Sequence, residues 1–460
     1  MIKRTLEAIA AMTGGELAKR EDAAIEIHGV SFDNREEGLP GKLFLPLIAA
    51  RNGHQYVAEA AAKGAAGSLW QKDQGEPPAG VPVVLVDDTM AAFQRLAREY
   101  RRQIGVRVVG ITGSNGKTTT KDFVFSILST TYKTYKTQGN LNNHQGVPYT
   151  LLSLDEDTQM AVVEMGMSGR GEIELLTSIA EPDAAIITNI GEAHLLQLGS
   201  REEIGRAKLE ILSGLRSGGF FVYHGDEPLV ERLLPEMPHP EEMLRYRFGR
   251  SNANDLYPTG MLTEEDGMHF TVSLPDFPPC FIPVLGEHNV VNALAAIAVG
   301  KYMGVTDEDV VVGLRFAEMT GMRIERISAS SGALLLNDAY NASPLSTKAS
   351  LELFRTLPGA SRKLAVLADM LELGPEEEEY HREIGRLLDP GSFTLLFTYG
   401  PLAKFIAEEA APRLGAGRVA WFADKADLIA ALRAEVRDGD AVLFKGSRGM
   451  ALEDAVQALL

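Results

Sequence analysis

Residues 110 to 120 read GITGSNGKTTT, and their types and spacing suit the holding of an anion. Gly113 and Gly116 allow a tight turn, so that the backbone N–H groups of Ser114 and Asn115 and the start of the following helix face outward as donors. Lys117 can then reach the β and γ oxygens of a nucleoside triphosphate and Thr118 can ligate Mg²⁺. The context is right, because the apolar run Val106 to Ile111 precedes the loop and a helical pattern begins near Thr118. Ile111 stands where the first glycine of the strict pattern G-x-x-x-x-G-K-[ST] belongs. Gly113, Ser114, Asn115, Gly116, Lys117, Thr118 and Thr119 are therefore candidate contacts for the phosphates of a nucleotide.

Partners for a metal are expected at the C-terminal ends of neighbouring parallel strands, where such sheets bind ligands. Glu164 ends the run MAVVE, and His194 follows the run DAAIITNIG. Taken singly, each reads as well as a strand-end carboxylate or a loop histidine capping the backbone. Their repeated placement at strand ends favours a site. No D-x-x-G or N-K-x-D segment supports a guanine-nucleotide switch, and the loop lacks the G-x-G-x-x-G of a dinucleotide enzyme.

The elements that must position these residues divide the 460-residue chain into three parts. The first, 1–103, opens on an amphipathic helix rather than a signal peptide, because Glu7 interrupts its apolar stretch. The second, 104–318, alternates short β-rich runs with helical stretches, the mark of βαβ units and a parallel sheet. Within it, the text between Pro235 and Pro283 reads as an antiparallel β insertion with period-2 patterning, followed by a helix with asparagine at its start, HNVVNALAAIAVG. The third, 319–460, alternates again through ALLLNDAY, KLAVLAD, TLLFTYG, RVAWFAD and DAVLFKGSRG. The expected fold is thus α/β with three domains: a small α/β domain, a central phosphate-loop domain with a β insertion, and a Rossmann-like C-terminal domain.

A formal net charge of −18 argues against nucleic-acid or anionic-membrane partners, so an anionic ligand must be met by local positive groups. The lone cysteine, Cys280, excludes an intrachain disulfide and reads as a small buried hydrophobe. The longest apolar stretch, NALAAIAVG, is far short of the roughly 18 residues of a membrane span. A cytoplasmic monomer is expected.

The runs GITGSNGKTTT, NLNNHQGVP, EMGMSGRGEI, TNIGEAHL, AKLEIL, LGEHNVVNALAA, GMRIER and NDAYNASP occur in the order found in the Mur ligase family, which the chain resembles over nearly its whole length. That resemblance implies an ATP-dependent ligase that makes an amide through an acyl phosphate. NDAYNASP and ADMLELG resemble the member that adds D-alanyl-D-alanine to a UDP-muramoyl-tripeptide. It further implies that Lys117, Glu164, His194 and Lys208 are catalytic, and that Thr118, Glu164, His194 and Lys208 form the Mg²⁺ shell with Lys208 carried as a carbamate. By its residue type alone Lys208 reads as an exposed helix lysine. The adenine would lie against Asn289 and Asn292, Arg323 would meet the γ-phosphate and Asp338 the ribose, with the third domain closing over ATP. Asn289 alone reads equally as a helix N-cap.

The other substrate contacts are assigned in the same way. Asp33, Asn34 and Arg35 stand in the segment that resembles the family's UDP-binding stretch, where Ser-Arg more often follows the aspartate. Asn140, Asn143, Ser168 and Arg170 are expected to face the muramoyl peptide, with Tyr340 and Asn341 on the substrate side. Lys445, Ser447 and Arg448, in a strand-to-helix turn, form an anion nest for the dipeptide carboxylate. A ligase of the folylpolyglutamate or cyanophycin type adding a single amino acid, and a regulatory ATPase, remain open alternatives.

Overall fold

The computed structural model describes all residues except Glu265 and Ala416. Three sheets carry the chain's parallel strands, and the loop of interest sits on the middle one. In that sheet six parallel strands run in the order 244–248, 220–224, 184–187, 107–112, 160–164 and 134–136. Alternate residues bury on opposite faces, as a sheet covered on both sides requires. Val108, Ala161, Val163, Ala185 and Ile187 enter one core, while Val109, Ile111, Val162, Ala184 and Ile186 enter the other. The first of these cores continues into the N-terminal domain through Phe93, Leu96 and Tyr100 of the helix Thr89–Ile104. Asp88 caps the start of that helix and Gly105, at φ 66°, ends it.

Ile111 explains the departure from the strict loop pattern. It is the next-to-last residue of the strand Arg107–Thr112 and is fully buried, so the chain does not turn until Gly113. Ile111→Ala is expected to destabilise the protein by about 2–5 kcal/mol through the cavity it leaves, measured by urea unfolding, with a loss below about 1 kcal/mol contradicting this.

The N-terminal sheet orders its strands 16–17, 83–86, 67–71, 43–44 and 30–31, all parallel except for the first pair. The C-terminal sheet runs 325–328, 334–338, 440–445, 362–368, 395–399 and 419–422, with only the first strand antiparallel. Arg362 anchors its middle through a two-pronged pair with the buried Asp440, at 2.9 and 2.7 Å.

The expected antiparallel insertion is smaller than its sequence suggested. Strands 258–263, 268–272 and 280–282 form it, but Leu244–Phe248 is the parallel edge strand of the central sheet. Its alternation of Leu244, Tyr246 and Phe248 with two arginines reflects an edge with one wet face, which either strand direction produces. Cys280 is buried in this insertion, and burial pushes its thiol up to about 12. Among the described residues no helix is long and apolar enough to cross a membrane.

Candidate active site

Gly113 and Gly116 adopt φ 149° and 78°, and a Cβ at either would collide with Thr188 Oγ1 or Asn292 Oδ1. Glycine is required there by both conformation and space. The TNIG segment braces the loop from behind: Ser114 N donates to Asn189 O at 3.1 Å, Asn115 N to Asn189 Oδ1 at 2.9 Å, and Gly191 N to Ser114 Oγ at 2.8 Å. The helix Lys117–Ser129 follows directly. Lys117 folds back so that Nζ donates to Gly113 O at 2.7 Å, and desolvation lowers its pKa.

Glu164 is buried at the end of the strand Met160–Glu164. Its Oε2 accepts from Thr118 Oγ1 at 3.1 Å and its Oε1 from Asn142 Nδ2 at 3.0 Å. The buried Lys121 lies 3.7 Å away. Arg323 comes from the C-terminal domain, stacks its guanidinium 4.1 Å over the Tyr340 ring, and reaches Thr118 Oγ1 at 3.4 Å. Lys117, Glu164, His194, Lys208, Arg323 and Tyr340 line one polar cavity.

Lys208 is the clearest difference from expectation. It is 2% exposed rather than a surface residue. Burial lowers its pKa well below that of an ordinary lysine, and the nearby charge that adds to this is another cation, Lys117. Both effects favour the neutral amine over the charged form. It lies in the last turn of the helix Arg201–Leu209, whose Ala207 and Leu209 are also buried, so the whole end of the helix faces inward.

A second cavity adjoins the first through Asn115, Gly116 and Arg323. Asn289, Asn292 and Asp338 line it, as do His224, Asp226 and His288, whose part the sequence left unassigned or merely noted. Thr119 also faces it. Asn289 does not cap the helix Glu287–Tyr302; it sits inside the first turn, buried, with Nδ2 donating to Leu285 O at 2.8 Å. Burial holds the His288 imidazole down to about 4, so the ring is neutral. Asp338 Oδ2 accepts from Ser350 Oγ and Lys445 Nζ, both at 2.6 Å. Lys445, expected at a dipeptide carboxylate, is thus tied to Asp338 beside the second cavity, because the strand Asp440–Lys445 runs parallel to Leu334–Asp338 in register.

A third cavity shares Asn142, His194, Tyr340, Asn341 and Ala342 with the first and adds Asn140, Glu372, Ser447 and Arg448. Several expected substrate residues are occupied structurally. Asn143 Oδ1 accepts from Gln145 N and Gly146 N, capping the helix Gly146–Leu152 although it also faces the first cavity. Ser168 lines that cavity while bonded to Glu172. Arg170 pairs with Glu210 at 2.7 Å and Glu203 at 2.9 Å and reaches none of the three cavities. Asp33 and Arg35 bond each other through both carboxylate oxygens, and with Asn34 they lie away from all three. That pair exposes 84% of the Arg35 side chain, leaving its guanidinium accessible from solvent. Asn142 and Glu372 were not singled out from sequence, since loop residues carry no periodic signal; Asn142 sits within the quoted NLNNHQG run.

The donor set suits a hard cation. One buried carboxylate, a hydroxyl and an amide oxygen or imidazole leave room for phosphate oxygens, the usual way Mg²⁺ is held. Among the described residues no group of three or more histidine, cysteine, aspartate or glutamate side chains is close enough to hold a metal unaided.

Two family models match the chain: Mur ligase middle domain over residues 111–300, and Mur ligase, glutamate ligase domain over residues 322–448. The chain is 46% identical to the UDP-N-acetylmuramoyl-tripeptide--D-alanyl-D-alanine ligase of Bacillus subtilis (strain 168), across 100% of this chain and 99% of that protein. The crystal structure of MurF from Acinetobacter baumannii superposes with a TM-score of 0.89 at 30% identity, covering 100% of this chain and 99% of that one. The MurF ligase from Thermotoga maritima in complex with ADP does so at 0.81 and 26% identity, covering 94% and 97%.

Proposed function

Because the chain belongs to the Mur ligase family, we infer that it is an ATP-dependent carboxylate–amine ligase that joins D-alanyl-D-alanine to a UDP-N-acetylmuramoyl-tripeptide in peptidoglycan precursor synthesis. The observation that carries this reading is the order of the three cavities: the second meets the first at the phosphate loop, and the third meets the first at Tyr340. Such an arrangement suits a nucleotide, a reacting carboxylate and an amine acceptor lying side by side. An ATPase without an acceptor has no use for the third cavity, and the full-length likeness favours the dipeptide over a single amino acid.

ATP would place its base against Asn289 and Asn292 and a ribose hydroxyl on Asp338, whose Oδ1 is left over by the bonds to Ser350 and Lys445. Lys117 would exchange the carbonyl of Gly113 for phosphate oxygens, and Arg323 would steady the γ-phosphate from the opposite domain. The tripeptide's terminal carboxylate oxygen attacks the γ-phosphorus, the bond to the β,γ-bridging oxygen breaks, and ADP leaves with an acyl phosphate behind. The amine of D-alanyl-D-alanine, having lost its proton, then attacks the acyl carbon and inorganic phosphate departs. Mg²⁺, held by Thr118, Glu164, His194 and a carbamate on Lys208, would neutralise the meeting of two anions in the first step.

The dipeptide carboxylate is assigned to Ser447 and Arg448 in the third cavity, and the muramoyl peptide to the Asn140, Asn142 and Ser168 side. Asp33, Asn34 and the accessible guanidinium of Arg35 would meet the UDP end. A cytoplasmic site of action goes with ATP as substrate.

Phosphate release with ATP, Mg²⁺ and UDP-muramoyl-tripeptide, with and without D-alanyl-D-alanine, followed by mass analysis of the product, tests the reading. Release that depends on both substrates and yields the pentapeptide supports it; release without an acceptor sinks it. Arg448 is half-exposed and shares its charge with Glu453 at 2.9 Å. Its replacement by alanine is therefore expected to raise KM for the dipeptide about tenfold while sparing KM for ATP, the lower end for a bond to a charged group. An unchanged dipeptide KM would move the carboxylate elsewhere.

A further inference from the structure

We propose that Glu372, brought in by the C-terminal domain, is a positioning residue for His194: its carboxylate takes the Nδ1 side of the ring and leaves Nε2 as the nitrogen open to the reaction cavity. His194 Nδ1 lies 3.0 Å from Glu372 Oε2. The contact has the distance of a hydrogen bond without its full alignment, and Nδ1 has no other partner. The cations Lys117 and Lys208 share the first cavity with the ring and act on it as nearby charges, so Glu372 is the anion that orients it.

Backbone geometry on both sides is set for this contact. His194 has φ 68° and Glu372 φ 64°, left-handed conformations that residues with a side chain adopt when their surroundings impose them. The loop that carries Glu372 is fastened at each preceding residue. Asp369 Oδ1 accepts from Leu402 N and Ala403 N, Met370 N donates to Nε2 of the fully buried His381, and Leu371 N donates to Ser447 Oγ at 2.9 Å. His381 Nδ1 is 2.6 Å from Glu377 O, which holds its proton on that side and leaves Nε2 free to accept. Two residues further on, Gly374 has φ 77°, and a Cβ there would come within 3.2 Å of Leu196 Cα. The two domains thus pack against each other beside this pair. A carboxylate delivered by one domain to the histidine of another makes the orientation of His194 depend on domain closure, in the way outer carboxylates orient metal-binding histidines.

The proposal rests on the ligase reading, and the test separates the two. Full-length protein and its Glu372→Ala, Glu372→Gln, Glu372→Asp, His194→Ala and His194→Ala/Glu372→Ala variants are compared by steady-state kinetics. Binding of Mn²⁺ in the presence of a non-hydrolysable ATP analogue is read by electron paramagnetic resonance. Glu372→Ala and Glu372→Gln are expected to lower kcat and weaken Mn²⁺ binding by about 10–100-fold, with Glu372→Asp recovering much of both. The double variant should be no worse than His194→Ala, because the two residues act as one unit. A kcat and Mn²⁺ affinity within about twofold of wild type in Glu372→Ala, or its whole loss added on top of His194→Ala, would overturn the proposal. A rise in the dipeptide KM alone would also overturn it and assign Glu372 to the acceptor. If the unmodified protein makes no pentapeptide, the ligase reading fails, whereas the Mn²⁺ comparison still decides the role of Glu372.

Discussion

Lys117→Ala is expected to lower kcat by about 10²–10³-fold, the usual loss when one preorganised donor to a developing anion is removed. Lys117 Nζ already sits on its own loop, 2.7 Å from Gly113 O and 3.4 Å from Ser114 O. It therefore needs little movement to transfer its bonds to phosphate. Desolvation lowers its pKa, so the arrival of an anion favours the charged form and binding becomes stronger for it. Arg323 approaches from the opposite domain and does not replace it, since it spends its face on Tyr340. Single-turnover formation of ADP, with the fold checked by circular dichroism, measures the loss. Activity within about tenfold of wild type would mean that the loop's backbone donors do the work without the lysine.

Lys208→Ala is expected to cost a similar factor, about 10²–10³-fold, if its carbamate supplies a second anion to the metal shell. Carbamylation consumes a neutral amine: the nitrogen lone pair attacks the carbon of CO₂, and a proton leaves to water. Burial and Lys117 both depress the pKa of Lys208, which favours the neutral amine that this step needs. The sign follows directly. As pH falls through that lowered pKa the amine protonates and CO₂ can no longer add, so activity declines on the acid side and removal of dissolved CO₂ inhibits. Added bicarbonate does not restore Lys208→Ala, whereas short carboxylic acids restore part of its activity by placing a carboxylate in the vacated space. Full activity of the variant, or indifference of the wild type to CO₂, would remove the carbamate.

Much of the phosphate loop was legible before any coordinates because its determinants are local. An apolar strand, glycines where φ must be positive, and a lysine and threonine at a helix start all lie within one short stretch of chain. Five strands of the C-terminal sheet were legible for the same reason, as apolar runs broken by helices, whereas the antiparallel edge strand Glu325–Ser328, with two charged residues and one apolar one, was not. Leu244–Phe248 was misread because alternation reports which face of a strand is wet and says nothing about the direction of its neighbour.

Local patterns of residue types thus set the elements, their class, and the chemistry available at the strand ends. The tertiary structure decided which of those groups are buried together. Lys208 became an inward-facing amine because the last turn of its helix enters the core shared with the central sheet, and Lys445 became a partner of Asp338 because two distant strands pair in register. Glu372 reached His194 only because one domain folds over another. Burial and ionisation state depend on neighbours remote in the chain, and no local pattern of residue types encodes them.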